Sequence, residues 1–281
     1  MSIYVSTSCL KNPRNVINVL KEYEKADIDN VELGSIHAHF DVRDLKKFNF
    51  NFLIHNYFPP PKNAFNFNLA SQSKTIRDNS IKLAKKAIDL CCKIESPLYT
   101  FHAGFTIDPP KLGKPFPRNN IPKRDDSLKI YNQSLVDLID YSRSNGIKIA
   151  MEPNVVQKFN LINNENKLCL FADFEEIKLL SRFFEKNEIG ILLDLGHTAV
   201  TAHWLNYDKD EFVKKCKKWV WAIHVSHNNG KTDQHKSLTR NSWQISKLKF
   251  FKRKPIILET MNLSTNEIKT NIDLVNEVIN L

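Results

Sequence analysis

The chain has 281 residues, of which 42% are hydrophobic and 26% charged, and its formal net charge at pH 7 is +10. It is long enough to bury a sizeable core, and the absence of any run of about 18 apolar residues argues against a membrane span. Five cysteines without a Cys-x-x-Cys pair argue against a disulfide framework and a zinc finger, so we predict reduced thiols.

The positive net charge leaves the partner open. It suits an anionic partner such as nucleic acid or a sugar phosphate. Many lysines fall on predicted helix faces, however, and we favour a plain solvated surface as their role. Residues 1–5 lack the basic start and apolar stretch of a secretory signal, so we predict a cytoplasmic protein. The sequence does not predict its oligomeric state.

Short apolar runs that predict strands recur along nearly the whole chain. They lie at residues 2–7, 30–34, 51–55, 97–102, 147–152, 189–194, 219–225 and 255–259. Between several of them, apolar residues at helical spacing predict helices. These helices are expected at residues 73–94, 127–144, 171–184, 207–216 and 264–279. Strands that alternate with helices indicate an α/β fold with a parallel sheet.

Two architectures share this order of elements, the closed (β/α)₈ TIM barrel and the doubly wound open sheet. Eight strands with intervening helices over about 250 residues are what a barrel requires. No Gly/Ser-rich or Pro-rich linker divides the chain. We therefore predict one barrel domain that spans residues 1–281.

Five histidines and four carboxylates follow the ends of the predicted strands. They are His55, His102, Glu152, Asp194, His197, His224, Asp233, His235 and Glu259. The strand ends of a barrel meet at one mouth, whereas the outer strands of an open sheet end far apart, so this distribution favours the barrel. Imidazole and carboxylate groups bind Zn²⁺, Mn²⁺, Fe²⁺ and Co²⁺. The sequence predicts a site for one to three divalent ions at the C-terminal mouth.

Short motifs at these strand ends resemble the xylose-isomerase-like TIM barrels, which include sugar isomerases, sugar epimerases and endonuclease IV of AP endonuclease family 2. The motifs are Val31-Glu32-Leu33-Gly34, Phe101-His102-Ala103-Gly104, Met151-Glu152-Pro153-Asn154, Asp194-Leu195-Gly196-His197, the stretch from His224 to Asp233-Gln234-His235, and Leu258-Glu259-Thr260. The resemblance covers essentially the full length and implies a metal-dependent enzyme.

The resemblance to endonuclease IV implies three zinc ions. The first would take His55, His102 and Glu152, the second Glu152, Asp194, His224 and Glu259, and the third His197, Asp233 and His235. The single-metal isomerases and epimerases keep only the second set. In these enzymes Glu152 and Glu259 would also serve as an acid/base pair on either side of a sugar carbon beside a carbonyl.

Loop lengths favour the sugar chemistry. Only about twenty residues separate Gly34 from His55, too few for the DNA-entering loop that the endonuclease resemblance implies. Two long segments instead follow predicted strand ends, a first mouth loop at residues 56–71 and a second at residues 106–124, which holds five of the twelve prolines. Long Pro-rich loops over a barrel mouth suit a lid over a small substrate.

We therefore predict a metal-dependent isomerase or epimerase that acts on a small sugar or sugar phosphate. Candidate substrate contacts are Asn56, Asn154 and Lys231, the last of which is equally well explained as a solvated loop lysine. The alternative is a trinuclear zinc phosphodiesterase that cuts abasic DNA. A non-catalytic metal- or sugar-binding barrel is a third interpretation, disfavoured because binding alone does not require nine converging groups.

Overall fold

The computed structural model describes residues 2–110, 115–185 and 187–280. Eight parallel strands in these ranges form a closed barrel in which neighbours in the chain are neighbours in the sheet and the first strand pairs with the last. They are β1 (Ile3–Ser6), β2 (Asn30–Leu33), β3 (Asn51–His55), β4 (Leu98–His102), β5 (Lys148–Glu152), β6 (Gly190–Asp194), β7 (Val220–Val225) and β8 (Ile256–Leu258). The predicted (β/α)₈ TIM barrel is confirmed, and the open sheet is excluded.

The α-helices of the described ranges lie between the strands and after β8. They are α1 (Val16–Lys25), α2 (Lys74–Lys93), α3 (Arg124–Ser144), α4 (Phe174–Phe183), α5 (Leu195–Leu205), α6 (Lys209–Cys216), α7 (Trp243–Leu248) and α8 (Thr265–Asn280). All five predicted helices are present. Among these helices, none is both long and apolar enough to cross a membrane.

Three helices were not predicted. Helix α1 does carry buried apolar residues at helical spacing, Val16, Val19, Leu20 and Tyr23, and this pattern was overlooked, whereas α7 has only 6 residues. Helix α5 is buried along its first eight residues, so no polar stripe reveals a helical period. This omission concerns the site, because α5 starts directly after β6.

The core has an inner and an outer part. The main apolar cluster joins the outward-facing strand residues to the helices. A smaller cluster fills the barrel interior with Tyr4, Leu53, Leu98, Ala150, Leu192, Ala222 and Ile257. All five cysteines are free, and four of them are buried. The interior cluster forms the floor beneath the polar residues at the barrel mouth.

Candidate metal centre

The pleat of the strands points five of the predicted ligands into the barrel. Residues two positions apart on a strand face the same side of the sheet. Five predicted ligands lie two positions after members of the interior cluster, namely His55, Glu152, Asp194, His224 and Glu259. His102 lies four positions after another member, Leu98. The same alternation that builds the apolar floor therefore also places a polar layer above it.

Helix α5 contributes the next candidate ligand. Asp194 caps its N-terminus, since Asp194 Oδ1 accepts a hydrogen bond of 2.7 Å from the His197 backbone N–H. His197 thus lies in the first helical turn rather than in a loop. The remaining two ligands come from the loop after β7, where Asp233 Oδ2 is 3.0 Å from His235 Nε2.

All nine predicted ligands come together in three groups, two of which share Glu152. In each group the candidate ligand atoms lie within 4.8 Å of one another. The groups are His55, His102 and Glu152, then Glu152, Asp194, His224 and Glu259, then His197, Asp233 and His235. These groups coincide with the three ligand sets that the resemblance implied.

Glu152 is the centre of this arrangement. Its Oε2 lies 3.5 Å from His55 Nε2 and 3.3 Å from His102 Nδ1. Its Oε1 lies 3.0 Å from His197 Nδ1 and 3.7 Å from His224 Nδ1. The carboxylate is fully buried. One carboxylate thus joins the first group to the second.

The donor set fits a cation. Buried polar atoms in proteins almost always have hydrogen-bond partners. Within the described ranges, both oxygens of Glu152, Asp194 Oδ2, His197 Nδ1 and His224 Nδ1 are buried without one. The short approach of His197 to Glu152 therefore lacks the direction of a hydrogen bond. Several unpaired acceptor atoms around one point are what a divalent ion would satisfy.

Glu32 on β2 is a site residue that the sequence interpretation missed. It is fully buried, and its Oε2 lies 2.8 Å from His224 Nε2. On the other side of the ring, His224 Nδ1 faces Glu259, whose Oε2 is 3.2 Å away, so Nδ1 is available to an ion when Glu32 accepts the Nε2 proton. Carboxylates behind ligating histidines fix the ring in this way. The sequence does contain a signal that could have identified Glu32, since it is a charged residue inside the apolar run Val31-Glu32-Leu33.

Neighbouring carboxylates favour the protonated form of two imidazoles, those of His197 and His235, when no metal is bound. Burial alone would lower the pKa of His197, but Asp194 and Asp233 raise it well above its usual value. Burial also lowers the pKa of His235, yet Asp233 outweighs this effect and raises it to about 9. His102 differs, because burial dominates and lowers its pKa to about 4. The two histidines of the third group, His197 and His235, are therefore protonated at neutral pH in the metal-free protein.

We expect the metal-free protein to lose stability as the pH rises. His235 has a folded-state pKa of about 9 against an ordinary value of 6.5, so its contribution is complete below pH 6.5 and disappears through pH 9. The loss should reach up to about 3 kcal/mol, because one pKa unit corresponds to about 1.4 kcal/mol. Metal affinity should rise over the same range, because ligation requires neutral imidazole.

Urea denaturation in chelator at pH 6.5 and pH 9 measures this effect. The matched control is the exposed His39, whose Nδ1 lies 2.8 Å from the Pro60 carbonyl oxygen. The variant His235→Gln should reduce the dependence of the unfolding free energy on pH, whereas His39→Gln should leave this dependence unchanged. A metal-free protein that gains stability between these two pH values would contradict the prediction.

A cavity of about 420 Å³ lies above the cluster. Its walls include His55, His102, His197, Asp233, His235 and Glu259, together with both Asn56 and Asn154. Glu152, Asp194 and His224 do not line it and form the buried layer below. The cavity lies over the metal-ligand candidates, so a small molecule inside it would meet them directly.

The three predicted substrate contacts lie in different surroundings. Asn56 Oδ1 is buried at the cavity without a hydrogen-bond partner in the described structure, so it is free to contact a hydroxyl group. The Asn154 amide nitrogen already donates to the carbonyls of Ala103, Gly104 and Leu170. Lys231 is exposed and is not among the described residues that line the cavity. Asn56 is thus the best placed of the three.

Asn68 ties the first mouth loop to residues 105–108 at the start of the second, whose residues 111–114 lie outside the described ranges. Its Oδ1 accepts from the Phe105 and Ala70 backbone N–H groups at 2.9 and 3.0 Å, and its Nδ2 donates to Asp108 Oδ1 at 2.8 Å. Gly104 makes this close approach possible, since a Cβ there would lie 2.8 Å from both Asn68 Oδ1 and the Ala70 Cβ. The loops are therefore held in place over the mouth by a buried network.

Replacement of Asn68 by alanine should loosen both loops. It leaves buried backbone groups of Phe105 and Ala70 without partners, which costs about 2–3 kcal/mol of unfolding free energy. Urea denaturation measures this loss, and the exposed Asn63 of the same loop provides the matched control, Asn63→Ala. Equal stability of the two variants would show that the network does not hold the loops.

The comparisons with known proteins agree with this geometry. The xylose isomerase-like TIM barrel family matches residues 42–277. The chain belongs to this family. The resemblance inferred from the strand-end motifs is thereby confirmed, and proteins with this fold include enzymes named as epimerases and as AP endonucleases.

Individual relatives are distant. Apurinic-apyrimidinic endonuclease 1 of Plasmodium falciparum (isolate 3D7) is 25% identical over 271 residues, which cover 88% of this chain and 39% of that protein. The chain thus spans about two fifths of that relative's length. The structure of a D-tagatose 3-epimerase-like protein is similar at 19% identity, with a TM-score of 0.71 and 99% of each chain covered. A protein from Thermus thermophilus, studied after soaking with ZnCl₂, gives 15% identity and a TM-score of 0.66, again with 99% of each chain covered. Both structural likenesses show the fold alone.

Proposed function

We propose that this protein is a metal-dependent isomerase or epimerase that acts on a small sugar. The observation that carries the proposal is the 420 Å³ cavity directly above the carboxylate and histidine cluster. Two mouth loops joined through Asn68 lie over this space, an arrangement that suits a small substrate better than a duplex.

The second ligand group supplies the metal site of this proposal. A divalent ion held by Glu152, Asp194, His224 and Glu259 would polarise the substrate carbonyl and the neighbouring hydroxyl group. Glu32 would orient His224 from behind. The similar Thermus protein soaked with ZnCl₂ favours zinc as the first ion to test.

Glu259 is the better placed member of the predicted acid/base pair. It lines the cavity, and although burial raises its pKa, His224 and His235 outweigh this effect and lower it to about 2. Glu259 is therefore ionised, the form that a base requires, but so low a pKa makes it a weak base unless a bound metal ion also acidifies the substrate C–H. Glu152 lies below the cavity, but its Oε1 is 3.0 Å from Nδ1 of the cavity-lining His197. In this scheme His197 connects Glu152 to the substrate.

Solvent hydrogen exchange tests the proposal. Purified protein loaded with Zn²⁺, Mn²⁺ or Co²⁺ is incubated in D₂O with a panel of free aldoses and ketoses, and proton NMR follows the carbon beside the carbonyl. We expect deuterium at this carbon in at least one sugar, with exchange abolished by Glu259→Gln and retained by Glu165→Gln, which changes an exposed glutamate. No incorporation into any sugar would reject the proposal.

A second candidate function is zinc-dependent cleavage of abasic DNA. It is favoured by the complete third group, His197, Asp233 and His235, and by the Plasmodium endonuclease relative. In this scheme clustered ions would generate hydroxide and stabilise the leaving oxygen. Incubation of the zinc-loaded protein with a duplex that carries one abasic site decides this candidate, since an intact substrate would exclude it.

A further inference from the structure

The cavity has two chemically different halves. Its floor is polar and contains the candidate ligands and Asn56. Its roof carries six aromatic side chains, namely Tyr57, Phe65, Phe67, Phe105, Phe116 and Phe159. A sugar offers hydroxyl groups to the floor, but most of this roof has no polar atom with which to bind them.

Contacts among the aromatic side chains fix the positions of several rings in the roof. Phe65 packs on Tyr57 with ring centroids 5.5 Å apart, and its backbone N–H donates to Tyr57 Oη at 2.7 Å. Phe105 packs on Phe116 with centroids 5.2 Å apart. Because Asn68 binds the backbone N–H of Phe105, these two pairs belong to loops that are already joined. The rings are thus positioned before any ligand enters.

Charge on the cavity wall points in the same direction. The net charge of the chain is +10, yet none of the described residues that line the cavity is a lysine or an arginine. Phosphate groups in proteins are usually held by such side chains or by free helix N-termini, and the N-terminus of α5 beside the cavity is already capped by the Asp194 carboxylate. The wall of this cavity therefore suits an uncharged ligand better than a sugar phosphate.

We propose that the aromatic roof is a subsite for a flat apolar ring attached to the sugar, so that the substrate is an uncharged sugar that keeps a free carbonyl group and carries an aromatic substituent at another position. The sugar would face the floor, while the ring would lie among Phe65, Phe105 and Phe116. Aromatic faces bind flat rings through stacking and apolar contact. This inference rests on the proposed function in one respect, that the polar floor receives a sugar.

Paired glycosides test the subsite through binding alone. Isothermal titration calorimetry of the zinc-loaded protein compares the phenyl and methyl β-glycosides of glucose, galactose and xylose. We expect each phenyl compound to bind at least about tenfold more tightly than its methyl partner. Thymidine and uridine form a second arm, in which tighter binding than the phenyl glycosides would identify the ring as a nucleobase. Equal binding of phenyl and methyl partners, or tighter binding of glucose 6-phosphate, would overturn the proposal.

Conservative variants separate the subsite from the metal centre. Phe65→Leu and Phe116→Leu keep an apolar side chain but remove the aromatic face, so the phenyl preference should fall while zinc content stays unchanged. Phe183→Leu alters a phenylalanine that is 62% exposed at the end of α4. This control variant should change neither the phenyl preference nor the zinc content. A phenyl preference that survives both roof variants would overturn the assignment. Since no turnover is measured, a protein without isomerase activity could still show the preference.

Discussion

Replacement of Glu152 by glutamine is expected to remove at least one bound metal ion and to lower activity by roughly 10²–10³-fold. The carboxylate is fully buried and faces nitrogens of His55, His102, His197 and His224. An amide keeps the shape but loses the negative charge that two ligand groups share. The size of the effect follows because Lewis-acid catalysis contributes several kcal/mol to transition-state stabilisation.

Elemental analysis of metal per chain gives the primary measurement for Glu152→Gln, and activity gives the second. The matched control is Glu165→Gln, the same chemical change at an exposed residue that pairs with Lys167. It should retain full metal content and activity. If Glu152→Gln kept the metal content of the unaltered protein, Glu152 would not be a shared ligand.

Replacement of Glu32 by glutamine should weaken metal binding by about 10–100-fold without emptying the site. The glutamine oxygen can still accept the His224 Nε2 proton across the 2.8 Å contact, but the loss of charge makes the imidazole a weaker ligand. Leucine at this position removes the acceptor altogether and should have the larger effect. Competition with a chromogenic chelator measures the affinity of each variant.

Two further measurements distinguish how Glu32 acts. Nitrogen NMR of the imidazole rings reports the tautomer of His224, which Glu32→Leu should redistribute while Glu32→Gln preserves it. Glu32 also lies within ligand distance of His55 and His224, and if it bound an ion itself, Glu32→Gln would remove a whole ion rather than weaken binding. An affinity identical to that of Glu165→Gln would show that Glu32 only fills the interior.

Much of the site was predictable because it follows from local sequence. Apolar runs identified every strand to within one residue at each end, since burial on both faces of a parallel strand leaves a continuous hydrophobic signal. The two-residue period then links Leu192 to Asp194 and Ala222 to His224. Once the barrel is closed, the side chains that lie two positions after the interior residues must meet inside its mouth.

Other features depended on contacts that no local pattern contains. Helix α5 was missed because its buried first turns show no amphipathic period, and so the helical position of His197 was not predicted. Asn154 was predicted to bind substrate, but its amide nitrogen is shared among three backbone carbonyls. Its role as a substrate contact stays a prediction.

The sequence by itself determined the barrel, the donor types and the strand ends from which most of them come, because these depend on hydrophobic period and residue chemistry. Only the tertiary structure placed Glu32 behind His224, 192 positions away in the chain, and set aromatic side chains of separate loops above the metal-ligand candidates. The physical reason is that both features join loops and strand ends that are distant in the sequence. Only the closure of the barrel brings these segments together.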